Sequence, residues 1–202
     1  MGIEERQRLL QGCRRLMANR MRSSMQAMLK DAEEKLLDIV LYREGVGRAP
    51  RYIDAIREMR LKKDEIQVRF ENRFTTLFEQ QAAHLPEGGL YAIDFSGHTL
   101  TPEKAAIAHA AGRARAECRT ALSNLDKQFS AMLEDPEETD NPVQPEVILE
   151  AFWESCRDVG AGAEIRMLLV ELFERYIVSG LPSLYEDISL YLQTHSSDDQ
   201  DQ

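Results

Sequence analysis

The sequence predicts an all-α protein built from three long amphipathic helices followed by a C-terminal group of shorter ones. Apolar residues recur every three or four positions over long stretches, and glycine and proline gather in a few short interruptions. The one stretch suited to an extended conformation, residues 90–95, is too short to establish a sheet.

In the opening helix Met17, Met21, Met25, Met28, Ala32, Leu36 and Val40 trace one stripe, and Gly45, Gly47 and Pro50 predict the turn after it. Four methionines make that stripe adaptable. It suits ordinary core packing, or an external surface through which the chain meets a partner or a second copy of itself. The second helix is predicted from Arg51 into the low eighties on Ile53, Ile56, Met59, Ile66, Phe70, Phe74 and Leu77, with Lys63 at the solvated margin of the stripe. Pro86, Gly88 and Gly89 then break the pattern, before Thr101 as cap and Pro102 as first helical residue open a third helix. That helix carries Ile107, Ala111, Ala114, Cys118, Leu122, Leu125, Phe129 and Met132 on one side. The acidic, proline-containing stretch 134–145 reads as a solvated connector. Three shorter helices are predicted near 146–159, 163–179 and 182–193, sharing a core of Ala151, Phe152, Trp153, Ile165, Leu168, Leu169, Leu172, Phe173 and Tyr176. The expected organisation is therefore a long-helix region (1–133), the connector, a C-terminal helical subdomain (146–193) packed on the first region, and a frayed tail (194–202).

Composition narrows the class of function. A chain of 202 residues that is 43% hydrophobic and 30% charged is a folded domain, and no apolar run reaches the roughly 18 to 20 residues that span a bilayer. The first residues lack the charged-then-apolar pattern of a secretion signal, so a cytoplasmic location is expected. The net charge of −10 is unevenly spread: residues 1–80 hold seventeen Lys/Arg against thirteen Asp/Glu, and residues 81–202 hold eight against twenty-two. Within the first thirty residues the balance is seven basic to two acidic. This argues against general nucleic-acid binding while leaving a local basic surface for a protein partner.

No phosphate loop, dinucleotide fingerprint, HExxH metal site or nucleophile elbow is present, so no catalytic, cofactor or metal residue is assigned. Asp94, Ser96 and His98 lie close in sequence, but proximity without directed hydrogen bonds does not make a triad. His84, His109 and His195 are isolated, and Cys13, Cys118 and Cys156 follow neither a disulfide nor a zinc pattern; each cysteine reads as a small buried hydrophobe. Two sets of residues point to an interface instead. One is the stripe Met17, Met21, Met25 and Met28. The other is the second helix, where Arg57, Arg60, Lys62, Lys63, Arg69 and Arg73 are interspersed with acids; they suit solvent-facing salt bridges or an acidic partner surface, including the chain's own acidic C-terminal portion, with Arg57, Arg60 and Lys63 the leading candidates. Trp153 is either a packing residue or a partner-facing anchor.

The spacing YxxAxRxxRxxKxxIxxxF, from Tyr52 to Phe70, precedes an intervening helix and then NPxxPxxxxxAFxxxxxxxG, from Asn141 to Gly160. With the arginine-containing amphipathic helix that follows, this arrangement resembles the N-terminal region of the DUF1631 family of bacterial proteins, over roughly residues 50–193. The resemblance implies a helical regulatory or adaptor module without a catalytic constellation. Longer relatives are described with a PilZ-like C-terminal segment, which makes a small-ligand or cyclic-dinucleotide-responsive regulator the alternative. A hydrolase or nucleotide-processing enzyme with a site assembled from remote residues, with Asp94, Ser96 or His98 as candidates, is the further alternative. The expected partner is another protein, with homo-oligomer formation left open and no cofactor.

Overall fold

The computed structural model describes residues 2–42, 49–83, 101–132, 141–157 and 162–196. The expected extended segment at 90–95, the Asp94/Ser96/His98 group, His84, the 45–47 turn and the acidic residues 134–140 lie outside the described residues. What is described is helical: α1 (Ile3–Tyr42), α2 (Ala49–Ala82), α3 (Pro102–Glu117), α4 (Arg119–Met132), α5 (Pro145–Cys156), α6 (Ala163–Tyr176) and α7 (Leu181–Ser196), with a 3-10 turn at Val178–Gly180 before α7. Among the described residues there is no strand.

The 40 residues of α1 span about 60 Å at the standard helical rise. Its buried residues begin Leu9, Cys13, Met17, Met21, Met25, each four positions on. Since a helical turn takes 3.6 residues, each such step advances the stripe by about 40°, so it wraps about 160° round the helix between Leu9 and Met25. No single neighbour can cover a stripe that turns so far. Accordingly α1 packs against α2, α6 and α7. Met17, Met21, Met25 and Met28 are at most 1% exposed. The stripe therefore cannot be the external self-association surface entertained from the sequence: its flexible thioethers fill the irregular space between several helices of the same chain.

Ion pairs fix how α2 lies on α1. Arg14 pairs with Glu79, Arg22 with Glu71 and Arg60 with Glu33. Eight residues forward on α1, from Arg14 to Arg22, correspond to eight back on α2, from Glu79 to Glu71, and eleven more on each reach Glu33 and Arg60. The two helices are thus antiparallel in constant register. The inward face of α2 carries Tyr52, Ala55, Ile56, Met59, Ile66, Phe70, Phe74, Leu77 and Phe78. Ile53, placed on this face by the sequence reading, is instead 51% exposed; Tyr52 takes the inward position and donates its hydroxyl to Glu164 Oε2 at 2.9 Å.

α5 is buried almost all round, from Pro145 and Val147 to Ser155 and Cys156, as its near-continuous apolar sequence requires. It packs against α2 and α3. The Phe152 ring stacks on Phe173 of α6 with centroids 3.9 Å apart, and Phe70 of α2 meets the same ring edge-on at 6.3 Å. Glu150 of α5 is fully buried, with Arg73 Nη2 of α2 at 3.7 Å from its carboxylate. A buried charge is tolerable only with such a counter-charge. Arg73, grouped by sequence with the solvent-facing cations, thus turns inward onto the acidic C-terminal half.

Two other expectations change. The third long helix is interrupted at Cys118, where φ −94° and ψ 11° leave helical geometry and the backbone N–H still bonds Ala114 O. The break divides the packing: α3 lies against α5 and α6, α4 against α7. Asn141, Pro142, Val143 and Pro145, expected in a solvated connector, are buried. Asn141 Oδ1 accepts the Val143 N–H at 3.0 Å and its Nδ2 donates to Asp126 at 2.8 Å, while the buried Tyr185 hydroxyl donates to Val143 O at 2.8 Å. Those bonds satisfy a segment whose prolines cannot donate.

Two glycines give opposite expectations. At Gly112, mid-α3, an added Cβ meets nothing within 4 Å; at Gly12 it would collide with the phenolic end of Tyr191 on α7, with Cε1 at 2.6 Å. Gly112→Ala should raise stability by about 0.5–1 kcal/mol through helix propensity. Gly12→Ala should lose that gain and fall below wild type, because Tyr191 must be displaced. Urea unfolding of the two variants measures the contrast.

Candidate functional site: a charged groove between the two long helices

Where the α1–α2 register passes Lys63, the seam between the helices opens. Lys63, exposed, falls between the buried Met59 and Ile66, where the stripe of α2 has no apolar residue to fill the seam. The result is a groove of about 330 Å³. Leu29 and Met59, both buried, form its apolar floor. From α1 come Gln26, Lys30 and Glu33; from α2 come Arg60, Lys63, Asp64 and Gln67. Arg60 Nε donates to Glu33 Oε1 at 2.6 Å, tying the walls together, and Lys30 lies 3.8 Å from Glu34.

The structure brings two of the sequence-selected cations, Arg60 and Lys63, into this groove. Arg57 is exposed on α2 and is not among the lining residues. Trp153 is half-buried against the core from α5, and Met17, Met21, Met25 and Met28 are inside. Lys62 and Arg69 pair within their own helix with Glu58 and Glu65. Gln26, Lys30, Glu33 and Asp64 were missed because nothing local in the sequence states the α1–α2 register. Only the opposite charges on the two helices hinted at it.

Beyond the groove several large apolar side chains of the two helices remain in water. Leu37 and Leu41 of α1 are 36% and 68% exposed, and Ile53, Leu61 and Val68 of α2 are 51%, 76% and 56% exposed. Two other clefts are likewise bridged by ion pairs. One, of about 410 Å³, lies between the start of α1 and the end of α2, and is crossed by the Arg14–Glu79 pair. The other, of about 470 Å³ between α3 and α6, holds the exposed His109 and is crossed by the Arg113–Glu174 pair. His195 is exposed, with its ring on Tyr191 at 4.3 Å.

The titratable groups displaced from ordinary behaviour serve structure. Burial pushes the Cys13 and Cys156 thiols up to about 12 and Cys118 up to about 11. Burial likewise raises Tyr185. Glu71 is held below the ordinary carboxylate value by the Arg22 hydrogen bond, against the upward pull of partial burial, and then by Gln67. Glu103 is lowered by its own backbone N–H and then by Arg166. Among the described residues no group of three or more His, Cys, Asp or Glu is placed to hold a metal ion, and no helix is long and apolar enough to cross a membrane.

A family model described as the N-terminal domain of a protein of unknown function, DUF1631, matches residues 5–195. No curated protein and no solved structure matches the chain.

Two measurements follow from these groups. At pH 8 the three thiols should resist an aromatic disulfide reagent in the native state and react in full on unfolding, because only the thiolate attacks. The Glu71 carboxyl has a folded pKa below its ordinary 4.5, so its stabilising contribution is complete above that value and is lost as pH falls through the lowered one. Arg22→Ala should therefore be slightly less stable than wild type near neutrality, with the two unfolding curves converging in acid.

Proposed function

The chain belongs to the DUF1631 family, through its N-terminal domain, and from that premise we propose that it is a non-catalytic regulatory or adaptor module that binds another protein along the α1–α2 groove. The observation that carries this reading is the groove's composition. Seven of its nine lining residues are polar or charged, and it lies along the seam of two long helices. Pockets for small molecules are mostly apolar, with a few convergent polar groups. Lys30, Arg60 and Lys63 together with Glu33 and Asp64, over an apolar floor, instead suit a segment of polypeptide that presents acids to the cations and one or two apolar side chains to Leu29 and Met59. The exposed Leu37 and Leu41 of α1, one and two turns on from Glu33, extend the area available to such a partner.

The reading also accounts for the disposition of the displaced titratable groups. Raised thiols and a raised tyrosine are unreactive at neutral pH, and the lowered carboxylates are engaged in ion pairs that join helices.

The test begins with a cross-linking pull-down from native cells and ends with purified components. Arg60→Glu/Lys63→Glu should weaken the recovered partner's binding roughly tenfold or more, with helicity retained. Lys63→Glu alone should account for much of the loss, since it leaves the Arg60–Glu33 pair in place. Equal affinities of wild type and the double variant at physiological salt would overturn the groove as the binding site.

A further inference from the structure

The outward side of α2 carries a pattern that the partner groove does not explain. Ile53, Arg57, Leu61, Asp64 and Val68 are all exposed. At about 100° per residue they fall at about 0°, 40°, 80°, 20° and 60° round the helix, within one narrow stripe on the side away from the core. The three apolar members retain 51%, 76% and 56% of their surface in water. One stripe on one regular helix therefore reads, in order, apolar, cation, apolar, anion, apolar.

That order is its own complement when reversed. Laid antiparallel on a second copy about an axis between Arg60 and Leu61, Ile53 meets Val68 of the partner subunit, Arg57 meets Asp64 of the partner subunit, and Leu61 lies beside the partner subunit's Leu61 at the axis. Every contact occurs twice, as a two-fold interface demands, and both charge pairs are of opposite sign. An unrelated partner would place no such symmetry on the stripe. We propose that the chain forms an antiparallel two-fold dimer through the Ile53/Arg57/Leu61/Asp64/Val68 stripe of α2, the occupant of that face being a second copy of the chain. The contact runs over sixteen residues, about 24 Å of helix, and so buries less than the roughly 1,600 Å² of a standard stable interface. The dimer is accordingly concentration-dependent and not obligate.

The dimer goes beyond the adaptor reading and does not require it. Asp64 belongs to both surfaces, but Lys63, which lines the groove, projects about 120° round the helix from the middle of the stripe, and Arg57 and Leu61 do not line the groove, so substitutions at Lys63 and at Leu61 alter the two surfaces separately.

Sedimentation equilibrium of the full chain from micromolar to near-millimolar concentration is the test, with circular dichroism checking the fold of each variant. Wild type should self-associate. Arg57→Asp and Asp64→Arg should each weaken association roughly tenfold, because each places like charges opposite one another in both halves of the interface. The double variant Arg57→Asp/Asp64→Arg restores both pairs with the signs exchanged, and should return the dimer dissociation constant to within roughly threefold of wild type. Leu61→Asp should abolish the dimer and Lys63→Glu should leave it unchanged. A wild type that stays monomeric throughout, single variants that associate as wild type does, or a double variant no better than the singles would each overturn the proposal. A Lys63→Glu chain that loses partner binding but keeps the dimer, or the reverse with Leu61→Asp, separates the fate of this proposal from that of the groove.

Discussion

An apolar stripe that advances every four residues cannot stay on one side of a helix with 3.6 residues per turn, and this constraint on α1 organises the molecule. From Leu9 to Met25 the buried side chains wind part of the way round the helix, so α1 has to be covered from several directions. α7 approaches near Gly12, where the missing Cβ admits the Tyr191 ring. α2 runs the length of α1 in antiparallel register and α6 closes against it. Methionine suits such a stripe, since an unbranched thioether reaches neighbours at several angles where a β-branched residue would need one fixed geometry.

The second organising element is α5. Short and buried nearly all round, it is stable only with neighbours on every side. Phe152 locks it to α6 by ring stacking, and Glu150 ties it to Arg73 of α2. An ion pair in such a place contributes little net stability against an apolar alternative, but removing one partner leaves the other charge stranded. The pair therefore specifies how α5 sits against α2, and the aromatic stack supplies the cohesion. Upstream, the buried Asn141–Pro145 segment delivers the chain into α5 at a fixed angle, with Asn141 and Tyr185 bonding the backbone groups that the prolines leave without helical partners.

Because α1 and α2 spend their inward faces on each other and on α5 to α7, what they offer outward is a seam and a stripe. The seam is charged and opens into a groove at Lys63; the stripe on α2 alternates apolar and charged residues. Neither holds an assembled acid, base and nucleophile. Both are surfaces on long regular helices, which hold side chains in fixed relation without the entropy cost of ordering loops.

The sequence by itself determined the helices. Three-and-four spacing, the Thr101–Pro102 start of α3, and the glycines and prolines at the breaks placed them closely, because these signals depend on residues within a turn or two of one another. Membership of DUF1631 was legible in the same way, from the Tyr52–Phe70 and Asn141–Gly160 spacings. Only the tertiary structure decided direction and company. Ile53 and Tyr52 are adjacent and both apolar enough to face inward, and it is α6, offering Glu164 to the tyrosine hydroxyl, that selects Tyr52. Arg73 matches Arg69 in local sequence, yet one reaches Glu150 in the core and the other Glu65 on its own helix. The break at Cys118 has no glycine or proline to announce it, and it falls where the packing passes from the α5 and α6 neighbours of α3 to the α7 neighbour of α4. The groove was half legible, as Arg60 and Lys63. Its other wall depends on a register between residues some thirty positions apart, and that pairing energy exists only once the chain has folded.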